Sequence, residues 1–480
     1  MKTIFKSGVM CGAVWVMAIC GATTTNANGL QAELRSSTSI LPVLPSGMAT
    51  PTAPAGGVII GGQPWLADAA QGFTPVLSVD SSVDPLLALS TSGLHLPISP
   101  TTTPATCGQV AYDGRGNVYI TQGVVDTKVT PSVSRGILRV VLDPQTGAWV
   151  GPATYIATTA GLDGDQPTGV AIGPDGNLYV VFLKNGNVKR VLNPAVGNTQ
   201  VVQSVGITPN GHAGRALAFL GNDLYIGSID ALSVIHNATS TTCQGGCNAA
   251  VVADGFPGTP HVGLASDGVG SIYFAVSTYN QVWRYTPSTG LYAFIAQSGV
   301  DRNGNNGSNF SFVSSKCNLL ALDQGGNMWL GDDTSNATAA GAGRLWTISA
   351  TALSSITGGT FTAGTDLQAI LNTLHGPWLT MVANTIFIPT FNADGTFTAT
   401  IQNGAVITTD SGTWTLTPPV VLSAFANPQG HLSLIDTQGN VLLAGDVLLT
   451  NPDQLAMLSA VTTLEPISPI GLVVISKFAP

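Results

Sequence analysis

Short apolar runs separated by glycine-rich turns fill most of this sequence, and one arrangement among them repeats. A turn followed by an apolar-aromatic-apolar run occurs at GGQPWLAD (61–68), GRGNVYIT (114–121), GPDGNLYVV (173–181), LGNDLYIGS (220–228), GVGSIYFAV (268–276) and GGNMWLGDD (325–333). Its aromatic residues are Trp65, Tyr119, Tyr179, Tyr225, Tyr273 and Trp329, spaced 46 to 60 residues apart. Ahead of five of them lies a second apolar run, as in QVAYD (109–113) and GVAIG (169–173), and behind them a third, as in GILRVVLDP (136–144) and QVWRYTP (281–287). Turns such as Asp143-Pro-Gln-Thr-Gly147 then open a fourth. Four short strands per repeat with period-2 apolar patterns predict antiparallel blades around an axis, an all-β six-bladed propeller. The first copy has no clear inner strand, which predicts a first blade completed from both ends of the domain.

Beyond the repeats, GTDLQAILNTLHG (364–376) has apolar residues at 367, 370, 371 and 374, with Thr365 as cap and Gly376 as stop, and predicts a short helix. Residues 378–450 alternate strand patterns with NADG, QNG, DSG and NPQG turns, a small antiparallel meander or barrel-like domain. NPDQLAML (451–458) reads as a second helix, with Asn451 as N-cap and Pro452 at its first position, before a final strand at 471–478. A helical linker implies few contacts between the two parts, so the propeller is expected to fold without 377–480.

Composition supports turn-rich β structure. Charged residues make up 9% of the chain, Gly numbers 57 of 480, and Glu occurs only at Glu33 and Glu465. With 16 Lys+Arg against 25 Asp+Glu, the chain has no basic footprint for nucleic acid. Lys2 and Lys6 precede an apolar run from Gly8 to Gly21 and a small-residue site near Ala27, the pattern of a secretory signal peptide too short to span a bilayer. The expected layout is a signal peptide (1–27), a Pro/Ser/Thr-rich linker (28–56) with one edge strand near Ser39–Leu44, the propeller (57–350), a linker with the short helix (351–376) and the C-terminal β domain (377–480). The expected location is secreted, periplasmic or cell-surface, with no transmembrane segment.

The segment PTGVAIGPDGNLYVVFLKNGNVKRVLNP (167–194) resembles an NHL repeat, the blade of six-bladed propellers, through Pro167, Gly169, Ala171, Gly176, Tyr179, Asn187 and Arg190. Blades ending in Arg139, Arg284 and Arg344 follow the pattern more loosely. The C-terminal order Trp378, then Phe391 to Phe397, then Gly412-Thr-Trp414 is weakly similar to bacterial lipocalin-like meanders.

Aligning the inner strands places Cys107, Pro167, Gly214, His261 and Cys317 in one column at the channel mouth, with His212 two residues ahead of its own column position. Thiolate and imidazole suit copper or zinc, so Cys107, His212, His261 and Cys317 form a candidate ligand or metal site. In an oxidising compartment, Cys243-Gln-Gly-Gly-Cys247 predicts a local disulfide, leaving Cys107 and Cys317 bridged, free or metal-bound. Asp301 to Asn309 imitates a calcium loop but has one carboxylate, and reads as a polar turn. His236, His375 and His431 have no partners in local sequence, and surface positions are expected.

Two functions compete. One is an exported, non-catalytic binding or surface-associated protein that uses the propeller mouth to recognise a small molecule, glycan or protein. The other is a propeller enzyme resembling the gluconolactonases or the streptogramin lyases, or a copper- or zinc-binding propeller. The gluconolactonase resemblance implies a divalent ion held partly by Glu, and no Glu lies between 34 and 464. A lyase could use His212 or His261 as its base.

Overall fold

The computed structural model describes residues 33–34, 54–60, 63–68, 72–75 and, with gaps, 109–477. Among these residues, six blades of mainly antiparallel strands form a ring, the fourth continuous with the C-terminal strands in one twelve-stranded sheet. Their inner strands are Pro54–Ile60, Val110–Tyr112, Pro167–Ile172, Gly214–Leu220, His261–Ser266 and Leu320–Leu322. Each packs beside the next, and the sixth returns to the first, so the ring is closed. The chain is a six-bladed β-propeller followed by a β-barrel.

The repeated aromatic sits at one register position in every blade. Tyr119, Tyr179, Tyr225, Tyr273 and Trp329 each lie on the second strand opposite an alanine of the inner strand: Ala111, Ala171, Ala218, Ala265 and Ala321. Trp65 faces Val58 in blade one. The small residue leaves room for the ring to lie between blades, and the four tyrosines are buried. On the third strand Arg139, Arg190 and Arg284 face their tyrosines. Arg344 does not occupy that position; it pairs with Asp332. The second strands of blades three and five, Leu178–Phe182 and Ile272–Val276, are buried at every residue. Neighbouring blades cover both faces, so these strands read as continuous apolar runs instead of alternating ones.

Ring closure differs from expectation. Blade one has its own inner strand, Pro54–Ile60, which begins inside the segment expected to be linker. The blade built from both ends is the sixth, where Glu33–Leu34 pairs with Trp346 and Thr347 on Gly343–Ile348. The edge strand expected near Ser39–Leu44 lies outside the described residues. Blade three gains a fifth strand, Cys247–Asn248, which runs parallel to its outer strand Val202–Ile207.

Eight strands close the C-terminal barrel, in order Gly376–Val382, Thr385–Phe391, Thr396–Asn403, Val406–Thr417, Gly430–Asp436, Val441–Asn451, Gln454–Val461 and Gly471–Lys477, the last pairing with the first. Trp378, Phe387, Phe397, Leu434, Leu455 and Ile475 are among the side chains filling its interior. The helix Ala363–Leu374 joins that core through Ile370 and Leu374, and Trp378 Nε1 donates to Leu374 O at 2.6 Å. Thr365 falls within this helix, which starts two residues earlier than its expected cap. Gly376 ends it with φ +104°, a conformation glycine adopts without strain.

Two expectations fail in the barrel, each for its own physical reason. Residues 451–458 are expected to form a helix, but Gln454–Val461 is a strand with partners on both sides. Leu455 and Met457 face the barrel core, whereas Ala456 is buried against the propeller, so burial on both faces erases the alternation. Asn451 pairs with Gln454 on the neighbouring strand, so it is a strand residue and not a helix cap. Asp410-Ser-Gly412, read as a turn, lies mid-strand, paired with Phe397 to Ala399 on one side. Gly412 lets Ile435 O approach where a Cβ would stand.

The barrel and propeller share a core. Leu448 and Ala456 pack among Leu232, Phe274, Trp283 and Phe294 of blades four and five. Gln281 Nε2 donates to Gln454 Oε1 at 3.3 Å, and Asp254 pairs with Gly471. The two parts are therefore not joined by a helical linker alone.

Candidate functional site

The inner strands enclose a central cavity of about 290 Å³. All six blades contribute to its wall, from Val58 in blade one to Leu322 in blade six. No charged side chain lines it among the described residues, and its polar side-chain groups come from Gln109, Tyr112 and Ser266. Ser266 Oγ is already engaged by Gly268 N–H.

Gln109 is the central feature. Its Oε1 accepts from Val170 N (2.8 Å) and Leu217 N (2.9 Å), while its Nε2 donates to Leu217 O (2.9 Å). One carboxamide from blade two thus ties the inner edges of blades three and four. Neighbouring threonines continue the ring: Thr121 Oγ1 donates to Thr168 O at 2.8 Å, and Thr168 Oγ1 donates to Gly214 O at 2.7 Å. An inner strand has no strand on its channel side, so its outward N–H and C=O groups need such partners. Gln109 was legible only as the polar residue opening QVAYD, since nothing in that run shows that its side chain crosses to other blades.

At the strand-start mouth, Pro167, Gly214 and His261 occupy equivalent places. Each is the first residue of its inner strand and pairs with the last residue of the second strand: Phe182, Ser228 and Val276. Cys107, His212 and Cys317 lie outside the described residues, as do the calcium-like loop 301–309 and the side chain of His261. No group of three or more His, Cys, Asp or Glu side chains arranged to hold a metal occurs among the described residues. The gluconolactonase-type ion does not fit this chain, because its Glu ligand has no counterpart.

Cys243 and Cys247 form the expected disulfide, with Cα atoms 5.1 Å apart. It closes the loop that carries Cys247–Asn248 from blade four back to blade three. There Gly206 packs under Cys247 O, where a side chain would collide.

At the opposite end of the blades, aspartates missed in the sequence reading organise the turns. Asp113 accepts from Arg115 N, Asn117 N and Asn117 Nδ2; Asp267 accepts from the backbone of Val269, Gly270 and Ser271. Asp175 accepts from Tyr179 OH at 2.9 Å and lies 3.6 Å from Arg190, whose other nitrogen donates to Gln203 Oε1. Burial pushes the Tyr119, Tyr179 and Tyr225 phenols up, so all three stay neutral. At Asp323, burial raises the carboxyl, but hydrogen bonds from Trp329 Nε1, Asn327 and Gly325 outweigh it and hold the group below its ordinary value. The Asp-x-x-Gly-Asn spacing of 113–117, 323–327 and 436–440 was the available signal.

Two histidines read as unpartnered find aspartates across strands. His236 Nδ1 lies 2.9 Å from Asp223, and His431 Nδ1 lies 2.8 Å from Asp446. His375 stacks edge-on near Trp414, with ring centroids 6.3 Å apart.

No protein-family model matches the chain, and no curated protein sequence does. Among solved structures it is similar to the PQQ-bound aldose sugar dehydrogenase of Streptomyces coelicolor, at 16% identity and TM-score 0.40 over 64% of this chain and 97% of that one. It is similar to virginiamycin B lyase from Staphylococcus aureus, at 13% identity and TM-score 0.37 over 74% and 93%. An auxiliary nutrient binding protein from Bacteroides thetaiotaomicron gives 12% identity and TM-score 0.41 over 65% and 75%. The closed ring of blades itself makes this chain a propeller. No helix among the described residues is long and apolar enough to cross a membrane.

Proposed function

We propose that this is an exported, non-catalytic binding protein whose propeller channel recognises a small uncharged molecule. The observation that carries the reading is the cavity of about 290 Å³, walled by all six blades and lined by no charged side chain among the described residues. That volume lies at the lower edge of small-molecule sites. A charged ligand there would lose its hydration without a counter-charge, whereas a neutral one with a few hydrogen-bonding groups meets backbone edges. The blades are read as NHL-type on the Pro167–Arg190 pattern. The layout of signal peptide 1–27, propeller 57–350 and barrel 377–480 belongs to the same proposal. So does a weak lipocalin likeness of the barrel, whose interior is filled by its own side chains.

The test is equilibrium dialysis of the purified protein against a mixture of small metabolites, read by mass spectrometry. Selective retention of uncharged compounds, lost in Val58→Phe, supports the reading. Retention confined to anions or cations, or retention unchanged in Val58→Phe, defeats it.

A second reading places ligands at the strand-start rim, on Cys107, His212, His261 and Cys317. Its support is the register of His261 with Pro167 and Gly214. A stoichiometric copper or zinc ion in the purified protein, lost in His261→Ala, would favour it, as would a lyase activity lost in the same variant.

A further inference from the structure

Gln109 shows how one stretch of the channel wall is satisfied. Its carboxamide spans two blades by offering an acceptor to Val170 N and Leu217 N and a donor to Leu217 O. Val170 and Leu217 each stand one residue before the alanine that faces the blade aromatic, opposite Val180 and Ile226 of their second strands. Because their N–H groups bond to Gln109, they point away from the second strand and into the channel.

Leu264 and Leu320 hold the same register position in blades five and six. They precede Ala265 and Ala321 and pair with Phe274 and Leu330. Antiparallel strands alternate residues that bond to the neighbour with residues that turn outward. The N–H and C=O of Leu264 and Leu320 therefore face the same cavity, on the side that Gln109 does not span. Both residues line it.

Resting on the channel reading above, we propose that blades five and six bind a small neutral ligand bearing a primary carboxamide or an equivalent donor–acceptor edge. The ligand would bridge Leu264 and Leu320 as the Gln109 side chain bridges Val170 and Leu217. The amide oxygen accepts from the two N–H groups, and the amide nitrogen donates to a carbonyl. A carboxylate of the same shape has no donor for the carbonyl and carries a charge that no lining side chain offsets.

The experiment titrates leucine-amide-labelled protein with propionamide and benzamide, with propionate and benzoate as matched carboxylates, and with glycerol and glucose as neutral hydroxyl probes. The expected result is a saturable shift of the Leu264 and Leu320 amide resonances by the carboxamides. Their affinity is expected to be about tenfold or more above that of the carboxylates, the least ratio that one lost polar contact and an uncompensated charge predict. In Gln109→Ala, propionamide should also occupy the vacated place between blades three and four and restore part of the lost thermal stability. If that variant does not fold, the wild-type titration decides alone. Equal binding of carboxylates, or carboxamide shifts confined to residues away from the channel, overturns the proposal. Channel shifts produced by the hydroxyl probes alone overturn the carboxamide class and leave the channel reading standing. No channel shift with any probe overturns both.

Discussion

Leu448 and Ala456 face each other across adjacent barrel strands, and both side chains leave the barrel to enter the core between blades four and five. Both are fully buried. The pair is where the outer face of the barrel completes the core of blades four and five. Leu448→Ala is expected to cost about 2–5 kcal/mol, as for other large-to-small core changes. Removing 377–480 is expected to lower the melting temperature of the remaining propeller, because Trp283 and Phe294 lose their cover. Calorimetry of the two proteins checks this; an unchanged propeller transition after deletion would show the shared core to be dispensable.

Gly214 marks a close approach between blades three and four. A Cβ there would collide with Val181, and Gly169 nearby is almost as constrained, with Val181 Cγ1 at 2.8 Å. Gly214→Ala is expected to destabilise by about 1–3 kcal/mol through overpacking. Gly270 has no atom within 4 Å of its added Cβ, so Gly270→Ala serves as the neutral control. Urea unfolding of both variants measures the contrast, and equal midpoints would refute it.

Acid sensitivity follows from the turn aspartates. Asp323 is held low by hydrogen bonds that outweigh its burial, and Asp436 and Asp394 are held low chiefly by side-chain hydrogen bonds from Asn440 and Thr396. A carboxyl with a depressed folded value contributes stability above its unfolded value of ~3.9 and loses it as pH falls toward the folded one. Unfolding midpoints are therefore expected to stay flat from pH 7 to about 5 and to fall below about 4. Asp323→Asn is expected to make the acid limb shallower, which denaturant melts across pH 7 to 2.5 would reveal. An identical limb in the variant would remove Asp323 from the account.

The Cys243–Cys247 bridge closes a very short loop, for which chain entropy gives about 2 kcal/mol. Reduction, or Cys243→Ser with Cys247→Ser, is expected to lower stability by that order. It should also increase hydrogen exchange at Gly206 and Ile207, where Cys247–Asn248 pairs. Exchange that rises equally in all blades would mean that the bridge acts globally and not at this edge.

Much of the propeller was legible because Gly-x-apolar-aromatic is a local signal with a local cause: the turn and the ring fix one register position in each blade. What stayed hidden depends on partners distant in sequence. The start of Pro54–Ile60, up to residue 56, looks like linker because its proline and glycine give no β signal, and only the ring makes it part of an inner strand. Residues 451–458 look helical because Ala456 is apolar on the face that a lone barrel would leave wet. Gln109 looks like any strand-opening residue, since its partners Val170 and Leu217 lie on other blades. The rim column was read from alignment of the repeats, and the register of Pro167, Gly214 and His261 follows that alignment one residue into the strands.

The pairing of Glu33–Leu34 with Trp346 and Thr347 sets an order of events for a chain made from its N-terminus. Those partners are roughly 300 residues apart, so this is among the last contacts that loop-closure entropy allows to form. The first residues of the folded ring must wait, unpaired, until the sixth blade has been synthesised and built. Until then the growing protein is an open arc with two free edges, and whatever accompanies it during that interval must keep those edges from pairing with other chains.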